Sequence, residues 1–258
     1  MADEHPRTDR RRPELALRAA GVSRSFDGVQ ALTDVTLELR RDEVIGLIGP
    51  NGAGKTTMIN LLTGFDRPTG GSVLLDGHDV TRWSAVRRAH HGLGRTFQHG
   101  HLFGGLTVRE NIEVAALGTG ASPRESRKRA SELLSILEIG DRAQAPAAIL
   151  PHGEERKVGV ARALASRPRY VLMDEPAAGL PESESHAFAD VIRTVREQYG
   201  AGVLVVDHNM TLIMAVCDRI IVLDQGRVIA EGAPDQIRKD IDVAAAYLGG
   251  SMTVAADA

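Results

Sequence analysis

The stretch EVIGLIGPNGAGKTTMINLLTGF (residues 43–65) decides the fold. Its apolar start, EVIGLI, is typical of a short buried strand, and the spacing of apolar residues in KTTMINLLTGF predicts a helix. Between them, GPNGAGKT (49–56) fits the pattern G-x-x-x-x-G-K-[ST]. A strand, a glycine-rich turn and a helix in this order predict a loop that binds phosphate at the positive end of a helix dipole.

Each part of this loop has a predicted role. The glycines allow backbone N–H groups to turn inward around phosphate oxygens, and Lys55 adds a positive charge for the β- and γ-phosphates, which makes it a candidate catalytic residue. The Thr56 hydroxyl is a candidate Mg²⁺ ligand. The alternative is a glycine-rich turn without a ligand. The predicted nucleotide-binding residues are Gly49, Pro50, Asn51, Gly52, Ala53, Gly54, Lys55, Thr56 and Thr57.

Two further apolar runs end in polar side chains. YVLMDE (170–175) places Asp174 and Glu175 at the end of a predicted strand, where open α/β sheets bind ligands. Beside a phosphate-binding loop, Asp174 would hold Mg²⁺ and Glu175 would act as general base towards water. VVDHNM places His208 after another strand, where it could contact the γ-phosphate. Solvated strand ends and a lone surface histidine are the alternatives.

Gln98 ends a further predicted strand in GLGRTFQHGHLF. Its amide is a candidate ligand of Mg²⁺ or of a water bound to it. Residues 99–166 lack strong strand patterns and are predicted to form a mostly helical insertion. Within them RESRKRASELLSILEIG predicts a helix that ends at Gly140. Strands alternating with helices elsewhere predict an α/β core, and RIIVLDQGRVIAEG predicts a hairpin with its turn at Gln225-Gly226.

Composition narrows the class of protein. The chain has 258 residues, a net charge of −3 and a sequence pI of about 6.3, which argues against a nucleic-acid partner. The single cysteine, Cys217, suits a reducing compartment and is expected to be a small buried side chain. No apolar run approaches the ~20 residues that span a bilayer. Residues 1–13 are predicted to be a disordered tail and 249–258 a flexible one.

The order of these motifs resembles that of the ATP-binding cassette (ABC) ATPases: GPNGAGKT, RTFQ, LPHGEERKVGVARAL, LMDEP and DH. The resemblance covers about residues 15–250. It implies an α/β P-loop NTPase fold, with a RecA-like core, an antiparallel β subdomain and a helical signature subdomain, in one domain over 14–248. By position Gln98 matches the Q-loop, His208 the switch histidine and Phe26 the aromatic residue that stacks on adenine. A core phenylalanine is the alternative for Phe26. The signature motif, which faces the ATP of a partner subunit, corresponds to Leu150, Pro151, His152, Gly153 and Glu154.

A narrower resemblance is to ATPase subunits of branched-chain amino acid importers. It is carried by LTGFDRPTGGSVLLDG, RTFQHGHLF, DEPAAGL and EGAPDQIRKDIDVAAAYLG. It implies ATP and Mg²⁺ as cofactors, membrane permease subunits that dock after Gln98, a second ABC ATPase as dimer partner, and indirect work with a solute-binding protein. The expected location is the cytoplasmic face of the inner membrane, as a peripheral subunit. A non-transport ABC ATPase in translation or DNA maintenance is the alternative function, and an ATP-sensing module without turnover is another.

Two prolines depart from the family pattern. Pro151 stands where the family's usual serine donates a hydroxyl to the γ-phosphate, and Pro181 stands where an aspartate is usual in the D-loop. In the family both positions act on the partner's nucleotide. We therefore hypothesise a heterodimer in which the site that receives these prolines is slow. The alternative is that proline is a tolerated variant, because its fixed φ suits the start of a helix.

Overall fold

The computed structural model describes residues 15–97 and 101–252. Within them, an antiparallel four-stranded sheet is formed by β1 (Ala16–Phe26), β2 (Val29–Arg40), β4 (Gly70–Leu75) and β5 (His78–Asp79), in the order β2-β1-β4-β5. A second sheet contains β3 (Val44–Ile48), β6 (Leu93–Arg95), β7 (Tyr170–Asp174), β8 (Gly202–Val206), β9 (Arg219–Asp224) and β10 (Arg227–Gly232). Its order is β10-β9-β3-β8-β7-β6. All its neighbouring pairs are parallel except β9 and β10.

Both faces of the second sheet are buried, which explains its continuous apolar strands. In β3, Ile45 and Leu47 face a core shared with the first sheet, whereas Val44 and Ile48 face a core on the opposite side. The strands β7, β8 and β9 alternate in the same way. Helix α1 (Lys55–Thr63) fills the space between the two sheets through its buried residues, such as Met58. The strand–loop–helix segment is therefore fixed at the centre of the molecule.

The remaining helices lie along the chain as α2 (Ala85–His90), α3 (Val108–Gly118), α4 (Pro123–Ile136), α5 (His152–Leu164), α6 (Glu182–Tyr199), α7 (Met210–Val216), α8 (Pro234–Ile237) and α9 (Ile241–Met252). Between β6 and β7 the described chain consists of α3, α4 and α5 with two short 3-10 segments at 140–142 and 147–149. Of the helices in the described ranges, none combines the length and the hydropathy that crossing a bilayer requires.

Two local predictions from the sequence are confirmed. The hairpin turn falls at Gln225-Gly226 as predicted, and both residues have positive φ, 43° and 75°, as a tight turn between twisted strands requires. Cys217 is buried, as expected, against the sheet.

Two boundaries differ from the sequence predictions. Helix α4 ends at Ile136, not at Gly140, because Glu138 adopts a left-handed conformation (φ 55°). The amide of Ile139 then donates to the Leu134 carbonyl at 3.0 Å, and both side chains are buried. This is a Schellman termination that tertiary packing has imposed on a non-glycine residue. At the other end of the chain, helix α9 continues to Met252, so residues 249–252 are helical where a flexible tail was predicted. Residues 1–13 lie outside the described residues.

Candidate nucleotide site

Three neighbouring strands bring the predicted site residues to one edge of the second sheet. β3 pairs in parallel with β8, and β8 pairs in parallel with β7, with Met173 beside Val205 and Asp174 beside Val206. The carboxyl ends of these strands therefore lie together. They lead into the glycine-rich loop, His208, and the Asp174-Glu175 pair respectively. The sequence placed these groups on separate strands, and the strand order makes them neighbours.

The glycines of the loop at 49–56 are required by close backbone approach. Gly49 has a φ of 149°, and a Cβ atom there would collide with the carbonyl oxygen of Leu223 on β9. Gly54 has a φ of 104°, and its Cβ would lie 2.7 Å from the carbonyl oxygen of Ala31. The first sheet and β9 thus confine the loop from two sides. A side chain at either position would displace the backbone that is predicted to surround phosphate.

Lys55 extends back over this loop. Its Nζ donates to the carbonyl oxygens of Gly49 at 2.7 Å and Pro50 at 2.9 Å. Burial lowers the pKa of Lys55, and the negative charges of Glu175 and Asp174 oppose this shift. The ammonium group therefore lies in the electrostatic field of both predicted catalytic-site carboxylates, inside the loop that the sequence identified.

The two carboxylates differ in how they are held. Asp174, at the end of β7, accepts a hydrogen bond at Oδ2 from Arg95 at 3.1 Å. Glu175 has a φ of 46°, in the left-handed region that a non-glycine residue enters at a cost of about 1–3 kcal/mol. Its amide donates to the Val206 carbonyl at 2.7 Å, which keeps the strand pairing intact through this turn. The left-handed conformation ends the extended path of β7 directly after Asp174.

His208 lies at the surface of the same edge, with 66% of its side chain exposed. Behind it, Asp207 is buried and accepts two backbone hydrogen bonds, from Asn209 at 2.9 Å and from Ala177 at 3.0 Å. Asp207 thus joins the turn after Glu175 to the turn that carries His208. The sequence motifs did not indicate this role, although a carboxylate at the end of a wholly apolar strand was the available signal.

Phe26 is an exposed residue at the end of β1, which excludes the alternative of a core phenylalanine. The guanidinium carbon of Arg24 lies 4.3 Å from the centroid of its ring, and Arg24 is held by Asp66 at 2.9 Å. An arginine stacked in this way orients the ring through a cation–π contact. Phe26 is 43% exposed, so the part of the ring that Arg24 does not cover is accessible to a flat ligand, as the predicted stacking on adenine requires. Gln98 lies outside the described residues.

The residues that match the signature motif lie at the start of α5. Pro151 is the N-cap, with φ −59° and ψ 152° and no side-chain cap, and its carbonyl accepts from Glu155 at 2.9 Å. Glu154 pairs with Arg142 at 2.9 Å. Pro181 occupies the same position at the start of α6, with φ −56° and ψ 155°. Both unusual prolines are therefore helix starts in the conformation that proline favours.

Comparison with known proteins agrees with this geometry. Residues 32–178 match the family model described as ABC transporter, and residues 227–252 match that of the branched-chain amino acid ATP-binding cassette transporters. The chain is 38% identical to the high-affinity branched-chain amino acid transport ATP-binding protein BraF of Pseudomonas aeruginosa, over 90% of this chain and 97% of that protein. It is 35% identical to the lipopolysaccharide export system ATP-binding protein LptB of Haemophilus influenzae, over 90% and 97%.

Solved structures show the same likeness. The ADP conformation of MJ1267, an ATP-binding cassette of an ABC transporter, superposes with a TM-score of 0.81 at 28% identity, covering 91% of this chain and 98% of that one. The dimeric structure of MJ0796, a bacterial ABC transporter cassette, gives a TM-score of 0.76 at 28% identity, over 84% and 98%. The predicted fold class is therefore confirmed.

Proposed function

Because the chain belongs to the ABC transporter family and is one of its ATP-hydrolysing, ATP-binding subunits, we propose that it powers an importer of branched-chain amino acids or related small solutes. One observation supports the proposed ATP site. Adjacent parallel strands bring the glycine-rich loop, Asp174-Glu175 and His208 together at the carboxyl ends of the strands in the second sheet. The solute class is supported by the C-terminal match to the branched-chain family and by the likeness to BraF.

The proposed roles follow from the positions of the side chains. Lys55 and the backbone amides of its loop bind the phosphates, and Phe26 stacks on the adenine. Glu175 accepts a proton from the attacking water, which a carboxylate within the field of Lys55 and outside the strand is placed to do. His208 contacts the γ-phosphate. These steps cleave the bond between the γ-phosphorus and the bridging oxygen, and ADP and phosphate leave.

The donors near the loop fit Mg²⁺. Thr56 offers an exposed hydroxyl and Asp174 a carboxylate, and oxygen ligands are those that this cation prefers. In the described ranges, no three acidic, histidine or cysteine side chains lie close enough to hold a metal ion by themselves. Thr56, Asp174 and Gln98 would therefore hold Mg²⁺ together with phosphate oxygens, and the ion would neutralise charge that develops on the phosphate.

The proposed partners are a second ABC ATPase, membrane permeases and, indirectly, a solute-binding protein. Dimerisation is supported by the MJ0796 dimer, and in it the start of α5 would face the partner's nucleotide. The permease would dock on the surface that follows Gln98, where Phe103 and Val114 are exposed while Val108 and Ile112 belong to the core. The proposed location is accordingly peripheral, on the cytoplasmic face of the inner membrane.

Reconstitution tests the proposed function directly. The chain is combined in liposomes with candidate permeases and a solute-binding protein of the branched-chain type. ATP hydrolysis is measured without solute, with leucine, and with each of a panel of other solutes. We expect weak hydrolysis by the isolated chain and stimulation by the complete system when the binding protein carries a branched-chain amino acid. Glu175→Gln in the same system is the control for turnover. Stimulation by a lipid instead would favour a role like that of the lipopolysaccharide export protein LptB and refute the proposed solute class.

A further inference from the structure

Arg95, the last residue of β6, connects the candidate Mg²⁺ ligand with the helix that follows the phosphate loop. Its Nη2 donates to Asp174 Oδ2 at 3.1 Å, and its Nη1 donates to Asn60 Oδ1 at 2.7 Å and to Thr63 Oγ1 at 3.2 Å. Asn60 and Thr63 belong to α1, which begins at Lys55. One side chain therefore links the carboxylate at the end of β7 to the helix that follows the phosphate loop.

Two phenylalanine rings hold the same guanidinium. Its central carbon lies 5.1 Å from the ring centroid of Phe65 and 4.9 Å from that of Phe97, within the range of cation–π contacts. The rings meet edge to face at 5.8 Å. Phe65 is 59% and Phe97 36% exposed, whereas the side chain of Arg95 is only 11% exposed. The rings thus shield the arginine from water, which strengthens its ion pair with Asp174 and restricts its orientation.

Arg88, by contrast, is an arginine whose contacts support only the fold. It is fully buried beside the same part of α1, and burial lowers its pKa to about 10. Its hydrogen bonds go to backbone carbonyls, those of Leu61, Leu62, Val80 and Thr81. Arg95 instead binds three side chains, and one of them is a carboxylate of the candidate site.

We propose that Arg95 is a positioning residue for the ATPase: clamped by Phe65 and Phe97, it fixes the Asp174 carboxylate relative to α1 in the orientation that Mg²⁺ with ATP requires. The inference rests on the proposed function through the role of Asp174. A planar guanidinium reaches three acceptors and stacks on two rings at once, which the ammonium of lysine does not do. Arg95 also carries a positive charge that repels Mg²⁺, so positioning and repulsion act in opposite directions and are separable by experiment.

The test measures binding, not turnover. A fluorescent ATP analogue is titrated onto the full-length chain, first in EDTA and then with increasing Mg²⁺, and the Mg²⁺ concentration of the half-maximal change is the readout. We expect Arg95→Lys, which keeps the charge, to raise this midpoint about tenfold or more, since loss of groups that orient metal ligands costs about 10–100-fold in metal affinity. Affinity in EDTA should change less than twofold.

The matched control is Arg219→Lys. Arg219 is also ion-paired, to Glu43 at 3.1 Å, but it begins β9 and so lies at the opposite edge of the sheet. This variant should leave the Mg²⁺ midpoint unchanged. Asp174→Asn should raise the midpoint by itself, and adding Arg95→Lys to it should have no further effect, because the arginine acts through the carboxylate.

The outcomes separate this inference from the proposed site. An unchanged midpoint in Asp174→Asn would show that Asp174 is not a metal ligand, and the proposed site would fail. A raised midpoint in Asp174→Asn with an unchanged or lowered one in Arg95→Lys would overturn the positioning role. Arg95→Gln provides a second variant if the lysine variant does not fold, and a midpoint below that of the wild type would show that repulsion dominates. Phe65→Leu with Phe97→Leu should raise the midpoint, and no change would overturn the clamp.

Discussion

Replacing Pro151 with serine tests whether the start of α5 limits the partner's nucleotide site. Three other helices begin with a hydroxyl residue, Ser84, Thr107 and Ser122, whose φ is −68° and whose ψ lies at 160°, 165° and 158°. Pro151 has φ −59° and ψ 152°, so a serine fits the same backbone and can accept from an amide of the first turn. Such a cap adds about 1 kcal/mol, and loss of the proline restriction on the unfolded chain removes about 0.4–1 kcal/mol.

The expected change in folding stability is therefore close to zero, whereas the expected change in association is large. A hydroxyl that donates to a phosphate oxygen contributes about 1.5–3 kcal/mol, which corresponds to about 10–100-fold in an equilibrium constant. Serine can accept from the helix and donate to the phosphate at the same time. In a Glu175→Gln background, which prevents turnover, a symmetric dimer of this chain repeats the contact at both nucleotide sites. We therefore expect Pro151→Ser to lower the chain concentration for half-maximal ATP-dependent dimerisation by that factor for each site, and so by at least that factor in total.

Sedimentation velocity with and without ATP and Mg²⁺ measures this concentration, and thermal unfolding provides the control for folding. Pro151→Ala is the matched variant, because it restores the backbone N–H without supplying a hydroxyl. Equal association of the serine and alanine variants would refute the reasoning. The backbone amides near His152, Gly153 and Glu154 would then suffice, and Pro151 would be a tolerated helix start.

Three further predictions concern the site and its support. Glu175→Gln should bind ATP as the wild type does and lose at least a hundredfold in turnover, because the amide cannot accept the proton; normal turnover in a phosphate-release assay would place the base elsewhere. Lys55→Ala should abolish most nucleotide binding in a filter assay, since it removes the positive charge of the loop, and near-normal hydrolysis would contradict the loop assignment. Tyr170→Phe, which deletes the 2.5 Å hydrogen bond to buried Asp76, should lower the free energy of unfolding by about 1.5–3 kcal/mol. Because burial raises the pKa of Tyr170 above its ordinary value of 10.0, the stability advantage of the wild type should be complete below pH 10.0 and decline at higher pH. A stability difference between wild type and variant that grows above pH 10.0 would contradict the role given to this hydrogen bond.

The sequence by itself determined the local elements and the chemistry they carry. Spacing and residue type predicted the strand, loop and helix around Lys55, the strand that ends at Asp174, and the hairpin turn at Gln225-Gly226. These features depend on contacts within about a dozen residues, so their physical causes are present in the local pattern. The family resemblance rested on the same short segments, and the comparisons confirmed it.

Tertiary structure decided how those elements meet. The collision that requires glycine at Gly49 comes from Leu223, far along the chain, and the left-handed Glu138 that ends α4 is held by buried contacts. The roles of Asp207 and Arg95 were not visible in the sequence. The buried carboxylate of Asp207 gains its role from backbone amides in two separate turns. Arg95 gains its role from acceptors on two other elements. Hydrogen bonds and ion pairs between distant residues depend on strand order and packing, which local periodicity does not encode.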